Sequence, residues 1–217
     1  MINIEEQRVT LSKIGEEMLN LCQSQVEQSF EAFITFDTDI AEEVILKENR
    51  INALDLKIER DCEKFIALYN PVAIDLRFTM AVLKINFDLE RIGDEAKKIA
   101  NHAILLSEDI NLSKGYPEIR HIGTSVIKML ANALDAFARF DADAAIRTIE
   151  EDKQIDQEYK TALRELATYM MEDPRSISRV MNVLWVVRSL ERIGDHAKNL
   201  CEQIVFVVKG KDIRHQK

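Results

Sequence analysis

The block Leu-Glu-Arg-Ile-Gly-Asp occurs twice in this chain, at residues 89–94 and 190–195. Its flanks agree as well: Phe87–Lys98 and Arg188–Asn199 are identical at eight of twelve positions, 101 residues apart. An identical hexapeptide repeated at about half the chain length marks an internal duplication. The fold must therefore be two copies of one plan, each of about 100 residues, the size of a small domain. Only 6 Gly and 3 Pro interrupt 217 residues, of which 47% are apolar. So few breakers exclude a many-turned sandwich or barrel and suit long helices.

Residues 5–36 place Ile14, Met18, Leu21, Cys22, Val26, Phe30 and Phe33 at helical spacing. Asp37-Thr38-Asp39 offers capping oxygens, and a second helical pattern runs to Tyr69. Asn70-Pro71 comes next, with the proline expected at the first position of a helix over 72–106. Ser107–Tyr116 is polar and loop-like, and Pro117 restarts a helix, so the boundary is placed between domains 1–112 and 113–217. The second half repeats the plan: a helix over 117–140, another from the Asp141 cap to Met171, and a last one from Asp173-Pro174 to 209, ended by Gly210. The expected fold is all-α, two tandem three-helix bundles with helices of roughly 30 residues, about 45 Å each.

Each motif copy sets a Glu four residues before an Asp, Glu90/Asp94 and Glu191/Asp195. On a helix such pairs stack on one face. The preceding helices supply Asp152 and Asp156 in the second half, and Glu48 and Asn52 in the first. Two carboxylates about 6 Å apart at an effective dielectric near 20 repel by roughly 3 kcal/mol. Four together must be solvated, protonated, paired with bases or filled by a cation. An all-oxygen site suits a hard ion. The competing reading is an ordinary charged helix surface.

The halves are not equivalent. Asn199 follows Asp195 by one turn, whereas Lys98 follows Asp94 and Asn52 stands where the second half has Asp156. The expectation is tighter metal binding in the second half, with the first site neutralised by Lys98. Gly93 and Gly194, inside the motifs, imply close approach of another helix or a ligand, since a mid-helix Gly costs about 1 kcal/mol against Ala.

The net charge of −9 argues against nucleic acid. Cys22, Cys62 and Cys201 form no CxxC and read as core residues of a reducing cytosol. No apolar run approaches the ~20 residues of a spanning helix, and the amino terminus lacks signal-peptide character. A soluble cytoplasmic protein without membrane insertion is expected. His102, His121, His196 and His215 show no paired metal spacing, and no Gly-rich phosphate loop is present.

Two copies of Glu-Arg-Ile-Gly-Asp-x-Ala, with Asn70-Pro71-Val-Ala-Ile-Asp75-Leu-Arg77 before the first and Asp173-Pro174 before the second, closely resemble the PhoU family. The resemblance covers essentially the whole chain. It implies two three-helix bundles related by a pseudo-twofold axis, and multinuclear sites for iron, zinc, manganese or magnesium. Carried onto this sequence, the metal motifs fall on Asp152, Asp156, Glu191 and Asp195, and on Glu48, Asn52, Glu90 and Asp94, with Asn199 matching the family's Asn. The resemblance implies a non-enzymatic regulator that damps phosphate uptake and phosphate-starvation signalling. Its partners would be the ATPase subunit of the phosphate ABC transporter and the phosphate sensor histidine kinase, and a homodimer is expected. No residue set makes a dedicated phosphate pocket, so phosphate status is expected to arrive through the partners. The alternatives are a carboxylate-bridged di-metal enzyme or metal-storage bundle, and a metal-free helical scaffold.

Overall fold

The structure, a computed structural model, describes residues 4–108 and 117–214. Among them are six long helices and no strand: α1 (Ile4–Thr35), α2 (Thr38–Tyr69), α3 (Ile74–Ser107), α4 (Pro117–Arg139), α5 (Ala142–Glu172) and α6 (Ile177–Lys209). The first hairpin turn is built alike in the two repeats. Phe36 and Phe140 adopt positive φ (56° and 49°). The next residue, Asp37 or Asp141, caps α2 or α5 by accepting from two backbone amides each.

The third helices differ in how they begin. Asn70 ends α2 in the left-handed conformation, its N–H donating to Ile66. Pro71 does not hold the first helical position expected for it, because α3 starts only at Ile74. The chain has to reverse there, and a residue before proline disfavours the helical region, so a short non-helical link intervenes. In the second half Pro174 does open the helix, through a 3₁₀ turn, Pro174–Ser176, with Asp173 accepting from the Arg175 amide. Residues 109–116 lie outside the described residues, and with them the expected loop and the 112/113 boundary.

Helices α3 and α6 are central and antiparallel, as the contacts Asp88 to His196 and His102 to Asn182 require. α1 and α2 pack on α3, α4 and α5 pack on α6, and α1 touches α4. The apolar stripes predicted from spacing form the core: Met18, Cys22 and Val26 on α1, and Val180, Val187, Leu190, Ile193 and Ala197 on α6, are all buried. All three cysteines are free and buried. Burial pushes their thiols up, Cys62 and Cys201 to about 12, which leaves them unreactive. Among the described residues no helix is long and apolar enough to cross a membrane.

Candidate metal centres

The second half brings its four predicted carboxylates together. Asp152 and Asp156 lie one turn apart on α5, Glu191 and Asp195 one turn apart on α6. Asp152 is buried, Asp156 and Glu191 are half-buried, and Asp195 is exposed on the rim. Loss of hydration pushes the Glu191 carboxyl above its usual range, helped by the negative charges of Asp195 and Asp156. Partial desolvation likewise raises Asp195, with Asp152 adding to it and Lys198 opposing it. These are the signs of carboxylates drawn partly out of water beside other carboxylates.

One cation already stands inside. Lys198, three residues beyond Asp195, donates from Nζ to Asp152 Oδ2 at 2.6 Å. That hydrogen bond is the main reason its ammonium is held above the ordinary lysine range. An open cleft of about 790 Å³ adjoins the pair, lined by Asp152, Asp195, Lys198, Arg192 and Asn199 among others.

The first half assembles a comparable cluster with a different membership. Glu48 is buried on α2, and Glu90 and Asp94 are half-buried on α3. Burial raises the Glu90 carboxyl, then Asp94, with Asp55 and Glu48 contributing and Arg91 opposing. Asn52 is exposed. Asp55, which the sequence reading passed over, is the further carboxylate, and it accepts from Asn86 Nδ2 at 2.6 Å. It lies seven residues beyond Glu48, two turns along the same face. The second half has Tyr159 in its place, so comparing the repeats concealed it.

The expected neutralising role of Lys98 is corrected. Lys98 turns towards α6 and bonds Glu95 Oε1 at 2.9 Å. Lys97 instead pairs with Glu48, as Lys198 pairs with Asp152. One helical position, about 100°, separates a side chain facing α2 from one facing α6. The shared Ala-Lys after each motif was the available signal. Arg91 adds a second cation here, 3.3 Å from Glu90 Oε2 and 3.4 Å from Asp94 Oδ2. Its counterpart Arg192 makes its ion pair with Glu95 instead, at 2.9 Å, and bears on Glu191 through its charge, together with Arg188. Asn199 donates from Nδ2 to Asp88 Oδ1 at 3.1 Å, on the seam between α3 and α6.

Close packing of another helix accounts for Gly93 but does not require a glycine at Gly194. A methyl group on Gly93 would stand 2.8 Å from Ile51 Cδ1, and one on Gly194 would stand 3.4 Å from Ile155 Cδ1. The isoleucines occupy equivalent positions on α2 and α5, between the acids of each cluster.

Among the described residues no three His, Cys, Asp or Glu side chains converge to hold one ion. The donor chemistry nonetheless fits a hard cation: oxygen donors, excess negative charge, and an ammonium group as stand-in at the buried acid of each cluster. The imidazoles lie elsewhere. His102 faces Asn182, His121 faces Glu158 and His196 faces Asp88. His215 lies outside the described residues.

The PhoU domain family matches the chain twice, over residues 16–103 and 119–204. A phosphate-specific transport system accessory protein PhoU homolog of Pseudomonas aeruginosa is 49% identical over 212 residues, covering 98% of this chain and 86% of the relative. The phosphate-specific transport system accessory protein PhoU of Escherichia coli K12 is 40% identical over 198 residues, 91% of this chain and 82% of that protein. The crystal structure of PhoU from P. aeruginosa superposes with a TM-score of 0.93 at 46% identity, covering 96% of this chain and 100% of that one. The phosphate transport system regulatory protein PhoU from Streptococcus pneumoniae gives 0.89 at 28% identity, covering 97% and 99%.

Proposed function

Because the chain belongs to the PhoU family, we propose that it is a cytoplasmic, non-enzymatic regulator of phosphate uptake and phosphate-starvation signalling. It acts as an adaptor on the ATPase subunit of the phosphate ABC transporter and on the phosphate sensor histidine kinase, damping both when phosphate is plentiful. The observation that carries this reading is similarity over almost the whole chain, 49% over 212 residues, to a protein named for phosphate-specific transport. The coupling of an acidic, all-helical surface to partner proteins suits the role.

The adaptor carries metal ions, of iron, zinc, manganese or magnesium. Asp152, Asp156, Glu191 and Asp195 hold them in the second half, with the Asn199 carbonyl oxygen free to join since its amide nitrogen is the group bonded to Asp88. Glu48, Glu90 and Asp94 hold them in the first, with Asp55 the nearer addition and Asn52 on the rim. A bound cation would offset both the partial burial and the neighbouring negative charges that raise Glu90, Glu191 and Asp195.

Two measurements test the reading. In cells lacking the natural regulator, expression of this chain should restore repression of a phosphate-starvation reporter in high phosphate. Unchanged, constitutive reporter output from a well-expressed chain overturns the regulatory role. Elemental mass spectrometry on untagged protein should show metal that drops in Glu191→Gln/Asp195→Asn. Metal-free wild type after incubation with iron, manganese, magnesium and zinc leaves an adaptor without metal.

A further inference from the structure

In each repeat a lysine three residues beyond the motif aspartate crosses to the buried acid of the preceding helix. Lys198 reaches Asp152 and Lys97 reaches Glu48. The acids are 4% and 7% exposed. A carboxylate so buried is costly to leave without a partner. The lysine side chains, 36% and 39% exposed, lie half in water. An ammonium on a flexible four-carbon stem can leave the acid for solvent at little cost, whereas the acid cannot leave the helix interface.

We propose that Lys97 and Lys198 are resident counter-cations that compete with divalent metal: each satisfies the buried acid of its site, and a metal ion is held only by displacing the ammonium group from it. This rests on the metal-site reading above and specifies how those sites are regulated. A monovalent ion offers the acid no more charge than the lysine does, so the device favours divalent over monovalent cations. It also makes the emptied site a satisfied one, so that the protein stays folded when metal is scarce. The two sites differ in the number of tenants. The first has Arg91 in ion pairs with Glu90 and Asp94 as well as Lys97, while in the second Lys198 makes the direct ion pair and Arg188 and Arg192 act on Glu191 through their charge.

The decisive experiment is Mn²⁺ binding by calorimetry to chelator-stripped, full-length protein, comparing wild type, Lys198→Met and Lys198→Arg. Removing the competitor should lower the dissociation constant at the second site about tenfold, the worth of one charge-assisted hydrogen bond. The arginine variant, which keeps the charge, should bind no tighter than wild type. Binding by Lys198→Met alone also supports the inference, since the tenant then excludes metal entirely. Equal or weaker binding by Lys198→Met than by wild type overturns it while the metal sites stand. Absence of Mn²⁺ binding in every variant overturns both. Lys97→Met in a Glu191→Gln/Asp195→Asn background reads the first site in the same way. Melting in chelator separates this from a structural role: Lys198→Met should melt below wild type without Mn²⁺, and should gain more than wild type from adding it.

Discussion

His196 Nδ1 stands 2.8 Å from Asp88 Oδ1 across the seam between α3 and α6. The duplication gives these residues the counterparts Glu95 and Ser189, and Ser189 Oγ donates to Glu95 Oε2, also at 2.8 Å. The two repeats thus meet through a pair of polar contacts related by the internal pseudo-twofold, with different chemistry in each. Glu95 collects the most partners, since Lys98 and Arg192 each lie 2.9 Å from its Oε1. Arg192 thereby ties the motif of the second repeat to the residue that follows Asp94 in the first.

Glu95→Ala should destabilise the protein by about 2–3 kcal/mol, because a buried acceptor of several charge-assisted hydrogen bonds is lost. Ser189→Ala removes one donor and leaves Glu95 its two cations, for a loss of about 1 kcal/mol. Urea denaturation of the chelated protein measures both. Equal losses would show that the cations, half-exposed as they are, add nothing to the seam.

The motif glycines should respond differently to alanine. At both sites alanine gains about 1 kcal/mol of helix propensity. At Gly194 the new methyl meets Ile155 at 3.4 Å, an ordinary contact, so Gly194→Ala should be neutral or slightly stabilising. At Gly93 it meets Ile51 Cδ1 at 2.8 Å and Cγ2 at 3.3 Å, and Ile51 is fully buried. Overpacking costs about 1–3 kcal/mol there, so Gly93→Ala should be the less stable variant by about 1–2 kcal/mol. Thermal melts of the two variants decide the order.

The six helices were legible because apolar spacing, aspartate caps and scarce breakers all agreed. The acidic clusters were legible because duplication marked one wall of each, the motif helix, and spacing suggested the other. What sequence did not convey was azimuth. Lys97 and Lys98 are neighbours in the chain but face different helices, and only the α3–α6 packing decides which one meets Glu48. Asp55 was hidden because its counterpart, Tyr159, carries no charge. The seam residues Asp88 and Glu95 escaped for a related reason: their partners lie in the other repeat, and comparing the repeats with each other aligns them with those partners' own chain positions.

Metal occupancy should be ordered between the sites. Two cations, Arg91 and Lys97, make direct ion pairs with acids of the first cluster, where Lys198 does so in the second. On titrating Mn²⁺ into stripped protein, the tighter phase should vanish in Glu191→Gln/Asp195→Asn and survive in Glu90→Gln/Asp94→Asn. The opposite pattern would place the stronger site in the first repeat.

The raised carboxyls set how stability depends on pH in the absence of metal. Glu90, Glu191 and Asp195 bind protons more readily folded than unfolded. The cost of their partial burial, with the repulsion of the carboxylates beside each of them added, is therefore fully present at neutral pH and is relieved as pH falls through their raised values, so stability rises on mild acidification. Asp173 and Asp212, held low mainly by hydrogen bonds from Arg175 and Arg214, and Asp141, held low by the Ala144 amide, act in the opposite sense. What they contribute is lost as pH falls further, through the ordinary carboxylate range and below. The chelated protein should have its melting maximum on the acid side of neutrality. Glu191→Gln/Asp195→Asn removes part of the repulsion, worth on the order of 0.5–1 kcal/mol for partly solvated pairs, or about 1–4 °C. The variant should melt above wild type at pH 7 in chelator and show a flatter rise on acidification. With saturating Mn²⁺ the order should reverse, because only the wild-type second site gains stability from the ion.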